Sequence, residues 1–166
     1  MKRKLQALLI VTIFAFLAGL AHAQTAPGFA LESDKGGMVF KSSLKGNLII
    51  SFFASYCKPC EKDVPLLVDM EKKYGKAKNL QLILITADLN DGEGKAKDKA
   101  AGFMKKIGVS HDFLLDVYHV AITKYNPAKS LPSTFLVDQY GNILFQEIGF
   151  HEDTMAKLEQ AIGMLP

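Results

Sequence analysis

The sequence predicts an α/β fold of three layers, in which a central mixed β-sheet is flanked by helices and a β-hairpin is added on the N-terminal side. Three observations carry that expectation. Two near-continuous apolar runs, Asn47 to Phe53 and Gln81 to Thr86, have the character of strands buried on both faces. Between them Val64, Leu67, Val68 and Met70 recur at helical spacing, so a crossover joins the two strands and makes them parallel. Near the C-terminus, Thr134 to Asp138 and Ile143 to Ile148 flank Gln139-Tyr140-Gly141-Asn142, a hairpin whose antiparallel strands make the sheet mixed.

The remaining elements follow in chain order. Gln24 to Gly28 is a short polar lead. Phe29-Ala30-Leu31 and Met38-Val39-Phe40 enclose Asp34-Lys35-Gly36-Gly37 and read as the added hairpin. Ser42 to Gly46 reads as one helical turn and a break. Ala54-Ser55-Tyr56 turns the chain, and Cys57 opens the helical segment, which closes with Tyr74 before Gly75 and is expected to kink at Pro65. Asp88 to Lys99 is a charged, glycine-bearing loop entering a helix that ends near Ile107-Gly108, with Phe103 and Ile107 inward. Phe113-Leu114-Leu115 is a short extended piece, and Val117 to Lys124 a short helix. Asp153 is placed to cap a last amphipathic helix with Met155, Leu158, Ala161 and Ile162 on one face.

The first residues are expected to lie outside this domain. Met1-Lys2-Arg3-Lys4 is basic, Leu5 to Ala21 is apolar, and Ala21-His22-Ala23 is a small-x-small cleavage site, the order of a secretory signal peptide over residues 1–23. The alternative is a retained N-terminal anchor, although the apolar run is shorter than the about 20 residues of a membrane span. Residues 24–166 then form one domain with a single core, located in the periplasm or another extracytoplasmic space. It meets a membrane only if the leader is retained. Lys and Arg total 20 against 17 Asp and Glu, but Lys2, Arg3 and Lys4 belong to the leader, so the domain is formally neutral. Such a balance gives no argument for a polyanion-binding surface, and no nucleic-acid partner is expected.

An exported disulfide scaffold would spread several cysteines along the chain, yet this one has two, Cys57 and Cys60. A bridge across so short a loop stabilises by only about 2 kcal/mol in the chain-entropy model, which makes a purely structural role weak. Zinc wants four ligands and there is no second pair; His111, His119 and His151 are scattered, so no metal site is expected. What remains is thiol chemistry. Two thiols separated by Lys58-Pro59 at a helix start can close into one disulfide. The first faces unsatisfied backbone N–H groups and the positive end of the helix dipole, both of which favour thiolate, so Cys57 is expected to attack and Cys60, one turn in, to be the more buried resolving thiol. Lys58 adds a solvated positive charge, and Pro59 fits a first turn where a missing N–H costs nothing. Glu61 and Lys62 read as solvated helix residues.

Phe52-Phe53-Ala54-Ser55-Tyr56-Cys57-Lys58-Pro59-Cys60 resembles the active-site block of the thioredoxin superfamily, with its exported TlpA/ResA-like branch the nearer match. Phe29-Ala30-Leu31 with Leu44-Lys45-Gly46-Asn47 is similar to that branch's lead-in, and Leu131-Pro132-Ser133-Thr134-Phe135-Leu136-Val137-Asp138 with Gly141 is similar to its cis-proline strand and turn. The resemblance implies a thioredoxin-like fold and an exported thiol-disulfide oxidoreductase with no cofactor beyond the redox-active Cys57-Cys60 pair. It also implies a cis peptide bond at Pro132 facing that pair, and a substrate groove of Leu131, Pro132, Lys58, Pro59 and Tyr56 in which the Leu131 backbone pairs with an extended segment.

The chain departs from the family in several places. It has no Trp, and Phe53 and Tyr56 stand where the family usually has tryptophans. Ser51 occupies the position of thioredoxin's buried acid, and Ser130 that of a common glycine. An acid three residues after the second cysteine is the branch's usual proton relay, and here it is Asp63. Asp63 has two readings from sequence: a catalytic carboxylate one helical turn from Cys60, or a solvated first-turn acid favourable to the helix dipole.

The functional expectation is reduction of disulfides in extracytoplasmic proteins, with a membrane thiol donor of the DsbD or CcdA type and apocytochrome c as a candidate substrate, both by resemblance. The alternatives are a thiol oxidant and a non-catalytic copper or haem chaperone holding its ligand through Cys57 and Cys60. A peroxidase is disfavoured, because Ala54 stands where a Thr-x-x-Cys arrangement needs threonine.

Overall fold

A computed structural model describes residues 24–92 and 95–165; the expected leader, residues 1–23, lies outside the described residues. Seven strands form one mixed sheet: β1 (Ala30–Ser33), β2 (Met38–Phe40), β3 (Asn47–Phe53), β4 (Leu80–Thr86), β5 (Phe113–Leu115), β6 (Ser133–Val137) and β7 (Ile143–Ile148). Their spatial order is β2-β1-β5-β4-β3-β6-β7. The helices are α1 (Cys60–Lys78), α2 (Ala96–Lys106), α3 (Val120–Tyr125) and α4 (Thr154–Gly163). Among the described residues no helix is long and apolar enough to cross a membrane.

Both central strands are parallel, β3 pairing with β4 from Asn47↔Leu80 to Phe53↔Thr86, as the crossover through α1 requires. All seven β3 residues are buried because the two faces of the strand are both covered. Ile49 and Phe53 point into a core with Val64 and Leu67 of α1, Phe103 of α2 and Leu158 and Ile162 of α4. Leu48, Ile50 and Phe52 point the other way, against Ala121, Ile122 and Tyr125 of α3 and against Phe29 of the N-terminal lead. Helices therefore flank the sheet on both faces, as expected, but unequally. The N-terminal hairpin extends the sheet by pairing β1 antiparallel with β5.

Between β2 and β3 the chain makes a 3-10 turn at Lys41–Ser43 and breaks at Gly46, whose φ is 78°. A Cβ there would sit 2.4 Å from the Asn79 carbonyl oxygen, so only glycine lets β3 start this close to the end of α1. Helix ends differ in detail from the sequence expectation. Helix α1 runs on through Gly75 to Lys78, because Asn79 closes it in a left-handed conformation and Asn47 Nδ2 donates to the Lys78 carbonyl. Asp153 occupies the position before α4 but makes no capping hydrogen bond; its carboxylate pairs with Lys157 instead, 2.8 Å away.

Candidate active site

Strand direction gathers the site at one pole of the sheet. The parallel strands β3, β4 and β5 end at Phe53, Thr86 and Leu115, which are register neighbours. Strand β6 runs antiparallel and starts at Ser133, opposite Phe52, so the segment leading into it arrives at that same pole. Two loops therefore meet there: residues 54–59 leaving β3, and Leu131-Pro132 entering β6. The Leu131-Pro132 peptide bond is cis. Strand β7 ends at Ile148 opposite Ser133, and the following Gly149 N–H donates to the Pro132 carbonyl at 2.7 Å.

Cys57 and Cys60 are joined in a disulfide with their Cα atoms 5.3 Å apart. The helix starts later than the sequence suggests. Cys57 lies in the turn before α1, its N–H donating to the Ala54 carbonyl at 3.0 Å, and Pro59 is the N-cap residue. Proline costs nothing at that boundary, where no N–H is wanted. Cys60, the first helical residue, is fully buried, and Cys57 retains 6% exposure. The Cys60 N–H points at the Cys57 sulfur, 3.3 Å away. In the dithiol form such a donor at a helix start lowers the pKa of the sulfur that it faces.

Asp63, one turn beyond Cys60, is buried at 2% exposure, and its Oδ2 has no hydrogen-bond partner among the described residues. Burial pushes its carboxyl up from the usual 3.8 to about 6. The reading of Asp63 as a solvated acid therefore fails. Glu61 is also less solvated than expected: it accepts from Lys58 at 2.7 Å and from Lys106 of α2 at 2.8 Å, and the two lysines hold its carboxyl below the usual range, Lys106 foremost. Ser51 is buried and shares a 3.1 Å hydrogen bond with Thr134 across β3 and β6, which satisfies a polar pair inside the core.

Asp88, which the sequence reading placed at the start of a charged, glycine-bearing loop, is buried at 1% exposure. It accepts from the Ser55 N–H at 2.9 Å, the Ser55 hydroxyl at 2.6 Å and the Thr86 hydroxyl at 2.7 Å. The end of β4 thus pins the loop that carries Cys57. A local sequence signal exists only in retrospect: an acid two residues beyond a buried strand, with a serine at the end of the neighbouring one.

The other expected groove residues share this pole. Tyr56 is exposed beside Cys57, and Lys58 and Pro59 form the bend between the sulfurs. No hydrogen bond holds the backbone of Leu131 among the described residues. The Ser130 carbonyl accepts from Asn126 Nδ2 at 3.0 Å and from the Ser133 hydroxyl, which fixes the loop before the cis bond by a backbone group that any residue supplies. The histidines are dispersed: His111 contacts Glu71, His119 the Ala87 carbonyl and His151 Glu147.

The AhpC/TSA family matches residues 23–146 of the chain. The chain is similar to the thiol-disulfide oxidoreductase ResA of Bacillus thuringiensis (strain Al Hakam), 31% identical over 147 residues that span 88% of this chain and 79% of that one. It is similar to the thioredoxin-like protein YneN of Bacillus subtilis (strain 168), 28% identical over 85% of this chain and 77% of that one. Among solved structures it resembles a Chlorobium tepidum protein assigned as the thiol:disulfide interchange protein DsbE. That pair shares 29% identity with a TM-score of 0.71, over 84% of this chain and 94% of the other. A thiol-disulfide oxidoreductase of Bacteroides fragilis matches at 26% identity and a TM-score of 0.66, over 82% of this chain and 98% of that one.

Proposed function

The chain belongs to the AhpC/TSA family and is a thiol-disulfide oxidoreductase of thioredoxin-like fold, and from that premise we propose that it reduces disulfides in proteins outside the cytoplasm through Cys57 and Cys60. The observation that carries the proposal is the unequal burial of the pair, with Cys57 at the pole of the sheet and Cys60 fully enclosed behind it. Cys57 is the sulfur a protein substrate reaches. In the reduced enzyme its thiolate attacks one sulfur of the substrate disulfide, forming a mixed disulfide and releasing the other substrate sulfur as a thiolate that takes up a proton. Cys60 then loses its proton, attacks the Cys57 sulfur and releases the second substrate thiol, which leaves the substrate reduced and Cys57-Cys60 oxidised. Asp63 is the group placed one turn from Cys60 to accept that proton, since a carboxyl with a pKa of about 6 exchanges protons near neutral pH. The Leu131 backbone before the cis bond, which makes no hydrogen bond among the described residues, pairs with the substrate as an added strand.

Reduction in an oxidising space needs a thiol donor, and a membrane protein of the DsbD or CcdA type fits that need, with apocytochrome c as one candidate substrate. The basic-apolar-small order of residues 1–23 supports export. The test is the reduction potential of the pair, measured by equilibration with a thiol buffer. A value of about −250 mV or lower is expected, whereas one near about −120 mV makes the protein an oxidant and removes the reductase reading. Cys57→Ser abolishes the mixed disulfide and Cys60→Ser accumulates it; a Cys57→Ser protein that still reduces a model disulfide assigns the attack to the wrong sulfur.

A further inference from the structure

Beside the disulfide lies a cleft that the exchange steps themselves do not use. It measures about 390 Å³ and is lined by Lys58, Pro59, Glu61, Lys62 and Phe150. Lys58 and Pro59 belong to the bend between the two cysteines, so the cleft opens within a residue or two of the attacking sulfur. Phe150 arrives from the segment that follows β7 at the same pole. Gly149, at a φ of 85°, donates to the Pro132 carbonyl and turns the chain after β7, which delivers the next side chain to the bend. The cleft and the cis bond are thereby tied to one pole of the sheet, through Gly149 and the Pro132 carbonyl.

The chemistry of the walls is mixed in a defined way. Phe150 leaves 39% of its surface in water, an uncovered aromatic ring facing a proline ring and the aliphatic stems of lysines. The rim is basic. Glu61, the one carboxylate in the lining, already accepts from Lys58 at 2.7 Å and from Lys106 at 2.8 Å. Lys62 is exposed and makes no ion pair among the described residues. The cleft thus has an apolar floor and a net positive edge.

We propose that this cleft is a side-chain pocket selecting disulfide substrates with an apolar residue beside the reacting cysteine and an acidic residue just beyond it, with Phe150 as the specificity-determining wall. The assignment deepens the reductase reading and rests on it. The occupant is an extended segment of a protein and not a small thiol such as glutathione, whose neighbours to cysteine bring no apolar side chain. Backbone pairing at Leu131 supplies affinity without sequence demand. The pocket supplies the demand.

The experiment measures kcat/KM of the reduced full chain on disulfide-linked homodimers of short peptides, each with one cysteine flanked on both sides by Leu or by Gly, and beyond those by Glu or by Lys. Flanking on both sides makes the result independent of the direction in which the peptide lies. Wild type is expected to prefer the Leu peptides roughly tenfold, from the burial of one aliphatic side chain. It prefers Glu over Lys at low salt, with that preference fading at high salt. In Phe150→Ala the Leu-to-Gly ratio falls close to one, and Phe150→Leu restores it. A ratio of one in wild type, or an equal loss on both peptides in Phe150→Ala that leaves the ratio intact, overturns the assignment while leaving the reductase reading in place. Failure of wild type to reduce any peptide removes that reading and the pocket together.

Discussion

Replacing Asp63 with Asn removes one titrating group from the interior while keeping its shape, and the effect on the oxidised protein follows from its surroundings. Burial raises the carboxyl from 3.8 to about 6. A carboxyl that binds its proton more tightly folded than unfolded favours the folded state at low pH, and that advantage is lost as pH rises. Below 3.8 both states are protonated and nothing is lost. From there to about 6 the unfolded chain ionises while the folded one does not, and the folded state falls behind by about 1.4 kcal/mol per pH unit. Above that the loss is complete, at about 3 kcal/mol as an upper bound. Urea unfolding of oxidised wild type and Asp63→Asn, followed by circular dichroism from pH 4 to pH 7.5, reads the difference directly. The gap should widen in favour of the variant across that range and then level off. Asp153 and Glu159, held low by ion pairs with Lys157 and Lys73, titrate with the opposite sign, but they are common to both proteins and cancel. Parallel stability curves would refute the buried, unpartnered carboxyl.

The same substitution should shift the titration of the Cys60 thiol downward in the reduced protein, followed by thiolate absorbance, because a negative charge one turn away disfavours a second one; an unchanged titration removes Asp63 from the proton path. Asp88→Ala leaves the Ser55 N–H without its acceptor and breaks three hydrogen bonds, so unfolding free energy should fall by roughly 3 kcal/mol in a urea titration; a fall under about 1 kcal/mol would mean that the loop before Cys57 holds itself. Gly46→Ala combines a φ of 78° with a Cβ 2.4 Å from the Asn79 carbonyl oxygen. A loss of roughly 2 kcal/mol is expected, and a neutral result would mean that the junction of β3 with the end of α1 yields easily.

Strand β3 was legible to the residue because a buried central strand is written as one apolar run, and Ile143–Ile148 because its hairpin turn is local. The helix boundaries that moved did so through contacts that no local pattern contains. Helix α3 starts at Val120 and not at Val117 because the buried Asp116, held by its own N–H to the Thr86 carbonyl, takes the N–H groups of Ala121 and Ile122 on its carboxylate. Helix α1 starts at Cys60 because the turn after β3 closes on the Ala54 carbonyl and uses up residues that the spacing alone assigned to the helix. The cysteine pair and Pro132 stood out in the sequence by motif and resemblance. Asp88 did not, since an acid opening a charged loop looks solvated until the fold brings it to a serine 33 residues away. For Asp63, helical spacing fixed its distance from Cys60 but not its solvent exposure, which depends on how α1 lies against the sheet.

Two buried carboxylates thus flank the disulfide loop, and their surroundings divide the work between them. Asp88 faces three donors from β4 and the loop, so each contact it makes ties one more atom of the Cys57 turn to the rigid end of the sheet. Those three ties make it an anchor. Asp63 has a buried oxygen, Oδ2, with no donor to accept from among the described residues, so a proton gained there disrupts no hydrogen bond, and losing one becomes favourable only near neutral pH. A proton acceptor for a resolving thiol needs that indifference, because it must change charge once in each half of the cycle without moving the loop it serves. Exchanging the two environments would leave the Cys57 turn without its three anchoring hydrogen bonds and set a carboxylate already engaged by donors where the Cys60 proton has to go.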